Sequence, residues 1–116
     1  MQLDILTLFP EIISPYIQAS IIHKAVGNHI VSINLHNLRD WATDKHHTTD
    51  DTPFGGGGGM VMKPEPIFAA VEDLQKESTP CPVVLMTPQG AQLDHQAALE
   101  FSTADRLIIL CGRYEG

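Results

Sequence analysis

Two adjacent carboxylates precede a run of five glycines, and this stretch has the residue types most suited to binding a ligand. Asp50-Asp51 is followed by Thr52-Pro53-Phe54 and then by Gly55 to Gly59. Each glycine loses more backbone freedom on folding than any other residue, about 0.5–1 kcal/mol relative to alanine. A linker more often contains serine, threonine or glutamate between its glycines. The run therefore favours a loop that presents bare backbone to a ligand over a flexible connector.

Two further polar segments contain glycine, and each follows an apolar run. Thr87-Pro88-Gln89-Gly90 comes after Val83–Met86, and Gly112-Arg113-Tyr114-Glu115-Gly116 comes after Leu107–Leu110. Glycine lets backbone amides and carbonyls approach a ligand closely. Both segments are therefore candidates for a small-molecule site, provided that the fold brings them together.

The elements that position these segments alternate between strands and helices. Apolar runs predict buried strands at residues 2–9, 83–86 and 107–110, and alternation predicts a strand with one buried face at 30–35. Helices are expected from Pro10 or Ser14, over 22–26 with a stop at Gly27, from Pro64, and over 93–101 with Asp94 as its cap. The inner face of the first helix is expected to hold Ile13, Ile17 and Ile21, with Tyr16 beside them. The inner face of the third helix is expected to hold Ile67, Phe68, Val71 and Leu74.

This alternation predicts an α/β fold with a mostly parallel sheet covered by helices on both faces. In such sheets ligands bind beyond the carboxyl ends of the strands. The turns after residues 86 and 111 would lie at that edge, which makes them the expected small-molecule site.

Composition narrows the function classes. Seven basic against fourteen acidic residues give a net charge of −7, which disfavours a broad nucleic-acid surface on this chain alone. Cys81 and Cys111 have no metal-ligand spacing and suit a reducing compartment. No apolar stretch reaches the length of a membrane span, and the first residues lack the basic start of a signal peptide. These features predict a cytoplasmic protein with no membrane association.

In order and spacing, the chain resembles the bacterial tRNA (guanine-N1)-methyltransferase family, a SPOUT-class family with a trefoil-knotted core. The shared segments cover essentially the whole chain: Leu8-Phe9-Pro10-Glu11, Arg39-Asp40, the stretch from His46 to Met60, Pro88-Gln89-Gly90, and Cys111 to Gly116. Gly58 stands where the family often has proline, and Phe54 stands where it often has tyrosine.

The resemblance implies methyl transfer from S-adenosylmethionine to N1 of the guanosine 3′ of the tRNA anticodon, at position 37. It implies a homodimer whose site is shared between chains. Residues 1–116 would form the N-terminal part of a single SPOUT domain with an incomplete knot. The rest of the knot and a helical tRNA-binding domain would be absent. The family's aspartate base would lie beyond Gly116, so no catalytic residue is expected here and the chain alone should be inactive.

The resemblance also implies roles for the glycine-bearing segments. The residues expected to bind the cofactor are Met86, Thr87, Pro88, Gly90, Gly112, Tyr114, Glu115 and Gly116. Glu115 would meet the cationic amino group of the cofactor or a Mg²⁺ ion. The residues expected to face the RNA are Asp50, Gly55, Gly56 and Gly59. A turn-capping role for Asp50 remains equally open.

Other functions fit the residues less well or remain open. A Walker phosphate loop needs Gly-Lys-Ser/Thr at its end, whereas Gly59 is followed by Met60. His46 and His47 with the neighbouring aspartates do not complete a four-ligand metal site, so none is expected. A non-catalytic half-domain that binds a cofactor or a partner remains the alternative to an enzyme.

Overall fold

A computed structural model describes residues 1–44, 49–51, 61–76 and 80–113, with the side chains of residues 50, 51 and 61 left out. In chain order the elements are β1 (Gln2–Thr7), α1 (Pro10–Ile17), α2 (Ser20–Gly27), β2 (Ser32–Asn37), a 3₁₀ helix (Leu38–Trp41), β3 (Asp50–Asp51), β4 (Val61–Met62), α3 (Pro64–Gln75), β5 (Val83–Met86), α4 (His95–Ser102) and β6 (Arg106–Cys111). The four predicted strands and the helices between them are present, with ends shifted by a few residues.

The main sheet is parallel throughout, which confirms the predicted α/β class. Its strand order is β2-β1-β6-β5, and β3 and β4 form a separate antiparallel pair. The register places Leu6 beside Leu110 and Met86 beside Cys111. All four carboxyl ends therefore point towards one edge of the sheet.

Helices lie on both faces of this sheet over its β1 and β6 strands. Leu6, Ile108 and Leu110 lie in a buried cluster with Leu38 of the 3₁₀ helix and Ala70 of α3. Side chains alternate between the faces of a strand, so Thr7 and Cys111 point to the opposite side. There they line a depression together with Ile12 and Ile13 of α1.

Strand β5 is more exposed than the sequence predicts. Leu85 is 58% exposed, and Val83 and Met86 are also exposed. The physical reason is that β5 lies at the end of the strand order, where β6 is its one neighbour in the described sheet and no described helix packs extensively on its faces. The expectation that this apolar strand is buried is wrong.

The predicted apolar face of the first helix is wrong at Tyr16 and Ile21, which are 72% and 77% exposed. The helical region divides into α1 and α2, and Ser20 at the division has a left-handed φ of 53°. This turn takes Ile21 out of line with Ile13 and Ile17, which are half-buried.

The inner face of α3 is predicted correctly except at Phe68, which is 65% exposed. Pro66 and Ala70 are the buried residues, and Ile67, Val71 and Leu74 pack against the core cluster. At 3.6 residues per turn these positions form one stripe, and Phe68 falls outside it.

Two predicted helix ends are confirmed. Helix α4 begins after Asp94, whose Oδ1 accepts a hydrogen bond from the Ala97 amide at 2.8 Å. Helix α2 ends at Gly27, but His29 takes the left-handed conformation, with φ of 59°. The amides of His29 and Ile30 then donate to carbonyls of the last turn, at 3.1 and 3.0 Å, as in a Schellman motif.

Within the described ranges, no helix combines the length and apolar character needed to cross a membrane.

Candidate functional site

The carboxyl ends of β5 and β6 lie side by side, and they bring two predicted cofactor segments together. Met86 pairs with Cys111 at the last position of both strands. Thr87 and Gly112 are the next residues along each chain, so both leave the sheet at the same edge. Five of the predicted cofactor residues are therefore clustered: Met86, Thr87, Pro88, Gly90 and Gly112.

The turn after β5 is held by Thr87. Its carbonyl accepts a hydrogen bond from the Gly90 amide at 3.4 Å, and its Oγ1 accepts one from the Gln89 amide at 3.3 Å. A Cβ at Gly90 would lie 3.3 Å from Thr87 Cγ2. Glycine at position 90 thus has a steric reason within the turn itself. The whole turn is exposed, which leaves its backbone accessible to a ligand.

Gly112 differs from Gly90 in this respect. A Cβ at Gly112 would meet no atom of the described residues within 4 Å, and its φ lies outside the left-handed region. The described chain therefore does not require glycine there for steric reasons. Among the described residues, the space beside its backbone is unfilled.

A shallow depression of about 170 Å³ adjoins Gly112 on the side of β1 and α1. It is lined by Thr7, Phe9, Ile12, Ile13, Cys111, Gly112 and Arg113. The Arg113 guanidinium carbon lies 5.1 Å from the centre of the Phe9 ring. Burial raises the pKa of the Cys111 thiol, which disfavours the nucleophilic thiolate at neutral pH.

Phe9 was not among the predicted site residues. The sequence places it more than one hundred residues from Arg113, and only the β1–β6 pairing brings them together. An aromatic residue at the end of the predicted strand 2–9 was the available signal, but it does not show which other strand lies beside it.

The ends of the glycine loop are joined by a short ladder. Asp50 pairs with Met62 and Asp51 with Val61, and the Thr49 carbonyl accepts a hydrogen bond from the Lys63 amide at 2.8 Å. Thr49 and Met62 are buried. The segments on either side of residues 52–60 are thus paired with each other, and residues 52–60 themselves lie outside the described part of the chain.

Several predicted site residues lie outside the described part of the chain. They are Gly55, Gly56, Gly59, Tyr114, Glu115 and Gly116. The backbone of Asp50 belongs to β3, while its side chain is not described. The roles assigned to these residues stay predictions.

Among the described residues, neither a group of metal ligands nor a larger cavity extends the candidate site at the ends of β5 and β6. The described residues contain no group of three or more His, Cys, Asp or Glu side chains that could hold a metal ion. His46 and His47 fall outside that part of the chain. A cavity of about 380 Å³ at the α1–α2 junction is lined by Pro15, Tyr16, Ala19, Ser20, Ile21 and Ile22, which include no charged side chain.

A buried polar cluster crosses three strands of the main sheet. Asp4 of β1 is 2% exposed, and its carboxylate accepts hydrogen bonds from Asn34 and His36 of β2 at 3.3 and 2.8 Å. It also accepts bonds from Gln2 at 2.9 Å and from Arg106 Nε of β6 at 2.8 Å. Burial acts to raise the pKa of Asp4, but these hydrogen bonds outweigh it, so the pKa lies below its usual value. The ionised carboxylate therefore joins β2, β1 and β6.

The comparisons with known proteins agree with this architecture. The sequence profile of the family described as "tRNA (Guanine-1)-methyltransferase TrmD" matches residues 1–116. Curated proteins called tRNA (guanine-N(1)-)-methyltransferase are similar to the whole chain. One from Dehalococcoides mccartyi is 50% identical and is covered over 47% of its length. Another, from Geobacter sulfurreducens, is 51% identical and is also covered over 47%.

A solved structure extends the similarity to the fold. The crystal structure of tRNA (m1G37) methyltransferase from Aquifex aeolicus superposes with a TM-score of 0.87 at 35% identity. The match covers 100% of this chain and 52% of that one. The chain spans about half the length of the curated relatives it matches.

Proposed function

The chain belongs to the tRNA (guanine-1)-methyltransferase family, and on that basis we propose that it forms the cofactor-binding part of a methyltransferase. The proposed enzyme uses S-adenosylmethionine to methylate N1 of guanosine 37 in tRNA. In this proposal residues 1–116 are the N-terminal part of a SPOUT-type domain, in a cytoplasmic enzyme that acts as a homodimer with a site shared between its chains.

One observation carries the proposal: β5 and β6 end beside each other, and the exposed backbone of Gly112 borders space that no described residue fills. Ligands of parallel sheets bind beyond such strand ends. The cofactor supplies the methyl group. In our proposal Gly112 and the Thr87–Gly90 turn bind it through backbone groups, while Met86 gives an apolar wall and Glu115 contacts its amino group or Mg²⁺.

Guanine N1 carries a proton and is a weak nucleophile, so a positioned base must remove that proton while the methyl group is held in line. We assign the base to a carboxylate outside these 116 residues. Asp50 and the glycines of its loop are assigned to the RNA, because a carboxylate can accept hydrogen bonds from guanine N1–H and N2–H₂. The ladder at the base of this loop supports such a role, since it holds both ends in place.

Two glycine variants test the cofactor site by calorimetric titration with S-adenosylmethionine. Gly112→Ala should fill the open space and weaken binding, while thermal stability stays the same or rises, because the described chain leaves room for the methyl group. Gly27→Ala is the matched control: its Cβ also meets nothing within 4 Å of the described residues, and it lies at the end of α2. If the wild-type chain, Gly112→Ala and Gly27→Ala all bind S-adenosylmethionine with equal affinity, the proposed site is contradicted.

The reaction is tested with tRNA and S-adenosylmethionine, followed by detection of 1-methylguanosine in digested RNA. We expect binding without turnover from residues 1–116 alone, and turnover when the rest of the family's domain is present. Turnover by residues 1–116 alone would contradict the assignment of the base to a residue elsewhere. Binding without turnover in both proteins would favour a non-catalytic module.

A further inference from the structure

Strands β1 and β6 bring Phe9 and Arg113 to the same place at the carboxyl edge. Leu6 and Leu110 are paired in the sheet, and Phe9 and Arg113 each follow three residues later. The two segments that follow β1 and β6 therefore leave the sheet side by side. Their contact links the segment after β1 to the segment that carries the proposed cofactor residue Gly112.

Phe9 is held firmly by its own surroundings. Its amide donates to Thr7 Oγ1 at 3.1 Å, and its carbonyl accepts from the Ile12 amide at 3.0 Å as α1 begins. Its ring is partly buried and packs against the hydrophobic core cluster. The exposed part of the ring is thus a fixed apolar surface at the edge of the site.

Arg113 is exposed, and its guanidinium group lies over the ring of Phe9. The guanidinium carbon lies 5.1 Å from the ring centre, within the range of a cation–π interaction. Among the described residues, no carboxylate forms an ion pair with Arg113. Because Arg113 directly follows Gly112, fixing its side chain also restrains the path of the backbone as it leaves β6.

We propose that Phe9 is a positioning residue for the S-adenosylmethionine site. By holding Arg113, it keeps the backbone at Gly112 in the orientation that binds the cofactor, although Phe9 itself need not touch the ligand. This inference rests on the proposed function and adds a residue from β1 to a site otherwise built from β5 and β6. It also explains why the depression beside Gly112 has an aromatic wall.

A double-mutant cycle on the Phe9–Arg113 pair tests the inference, with S-adenosylmethionine titrated calorimetrically. Phe9→Leu keeps an apolar group but removes the ring, and Arg113→Met keeps the length of the stem but removes the charge. Each should weaken binding about two- to fivefold, the range expected for an exposed cation–π pair. The double variant should bind no more weakly than the weaker single variant, and Phe9→Tyr should restore wild-type affinity.

The outcomes separate the inference from the proposed function. If the wild-type chain binds and Phe9→Leu or Arg113→Met binds equally well, the positioning role is wrong and the site stands. If the fold-losses in affinity of the two single variants multiply in the double variant, the two residues act independently, and the positioning role is again wrong. If Phe9→Leu fails to fold, the exposed Arg113→Met variant decides alone. Failure of the wild-type chain to bind refutes the proposed function, and the positioning role with it.

Discussion

Replacing Asp4 with asparagine should remove a large part of the stability of the main sheet. The Asp4 carboxylate is 2% exposed, and the Arg106 side chain that pairs with it at 2.8 Å is 14% exposed. Removing one partner of a buried ion pair costs about 3–5 kcal/mol, because the remaining charge loses its counter-ion. Since Arg106 retains some solvent contact and a further interaction, we expect a loss at the low end, about 3 kcal/mol.

Asparagine also places an amide donor where the carboxylate accepted hydrogen bonds on both oxygens. Asp4 Oδ1 accepts from His36 and Asn34, and Oδ2 accepts from Arg106 and Gln2. Whichever way the new amide turns, its nitrogen faces donors. A loss of this size is a substantial share of the roughly 5–15 kcal/mol that stabilises a typical domain.

The assay is urea denaturation at pH 7, with the free energy of unfolding extrapolated to water. Asp105→Asn is the matched control, because Asp105 is an exposed carboxylate beside the same strand end and should change stability by less than about 0.5 kcal/mol. A loss for Asp4→Asn no larger than that of the control would refute the argument that this buried carboxylate joins the strands.

Lowering the pH should destabilise the wild-type chain, as the Asp4→Asn substitution does. The pKa of Asp4 is lower in the folded state than the ordinary value of 3.8. The unfolded chain therefore takes up the proton first as the pH falls, and the contribution of Asp4 is complete above about pH 4 to 5. It declines as the pH falls further and is lost below the folded pKa. The Asp4→Asn variant should lose less stability over that range than the wild type.

Three smaller predictions concern the same free energy of unfolding. The Thr49 hydroxyl is buried and has no hydrogen-bond partner in the described structure, so Thr49→Val should stabilise the chain by about 1 kcal/mol in urea denaturation; Thr49→Ser, which keeps the hydroxyl, should not. His29→Gly should raise the free energy of unfolding by about 0.5 kcal/mol, because glycine adopts the left-handed φ of 59° without strain and this relief exceeds its entropy cost. His29→Ala keeps the strain and should give no such gain in a thermal melt. Asp94→Ala should cost about 1 kcal/mol through loss of the cap on α4, while Asp94→Ser should restore most of it, as followed by circular dichroism.

The sequence predicted those parts of the fold that depend on local pattern. The apolar runs at 83–86 and 107–110 gave strands, and the alternation between them and the helices gave a parallel sheet. The position of the candidate site followed from the same pattern, because parallel strands end at one edge and the glycine-bearing turns at 87 and 112 had to lie there.

What the pattern could not predict depends on contacts between distant residues. The Arg106–Asp4 bond joins positions 102 residues apart, and the sequence gives no measure of that proximity. The exposure of Leu85 depends on where β5 falls in the strand order, which periodicity does not reveal. Ile21 fits a helical repeat by spacing alone, but the left-handed conformation of Ser20 breaks that repeat.

In our proposal the ends of β5 and β6 form a binding site for S-adenosylmethionine. Calorimetric titration of S-adenosylmethionine into the purified chain, with ATP as the control ligand, tests it most directly. We predict saturable binding of S-adenosylmethionine, little heat with ATP, and weaker binding by Gly112→Ala at unchanged thermal stability. A chain that unfolds cooperatively on heating but binds neither ligand would contradict the claim.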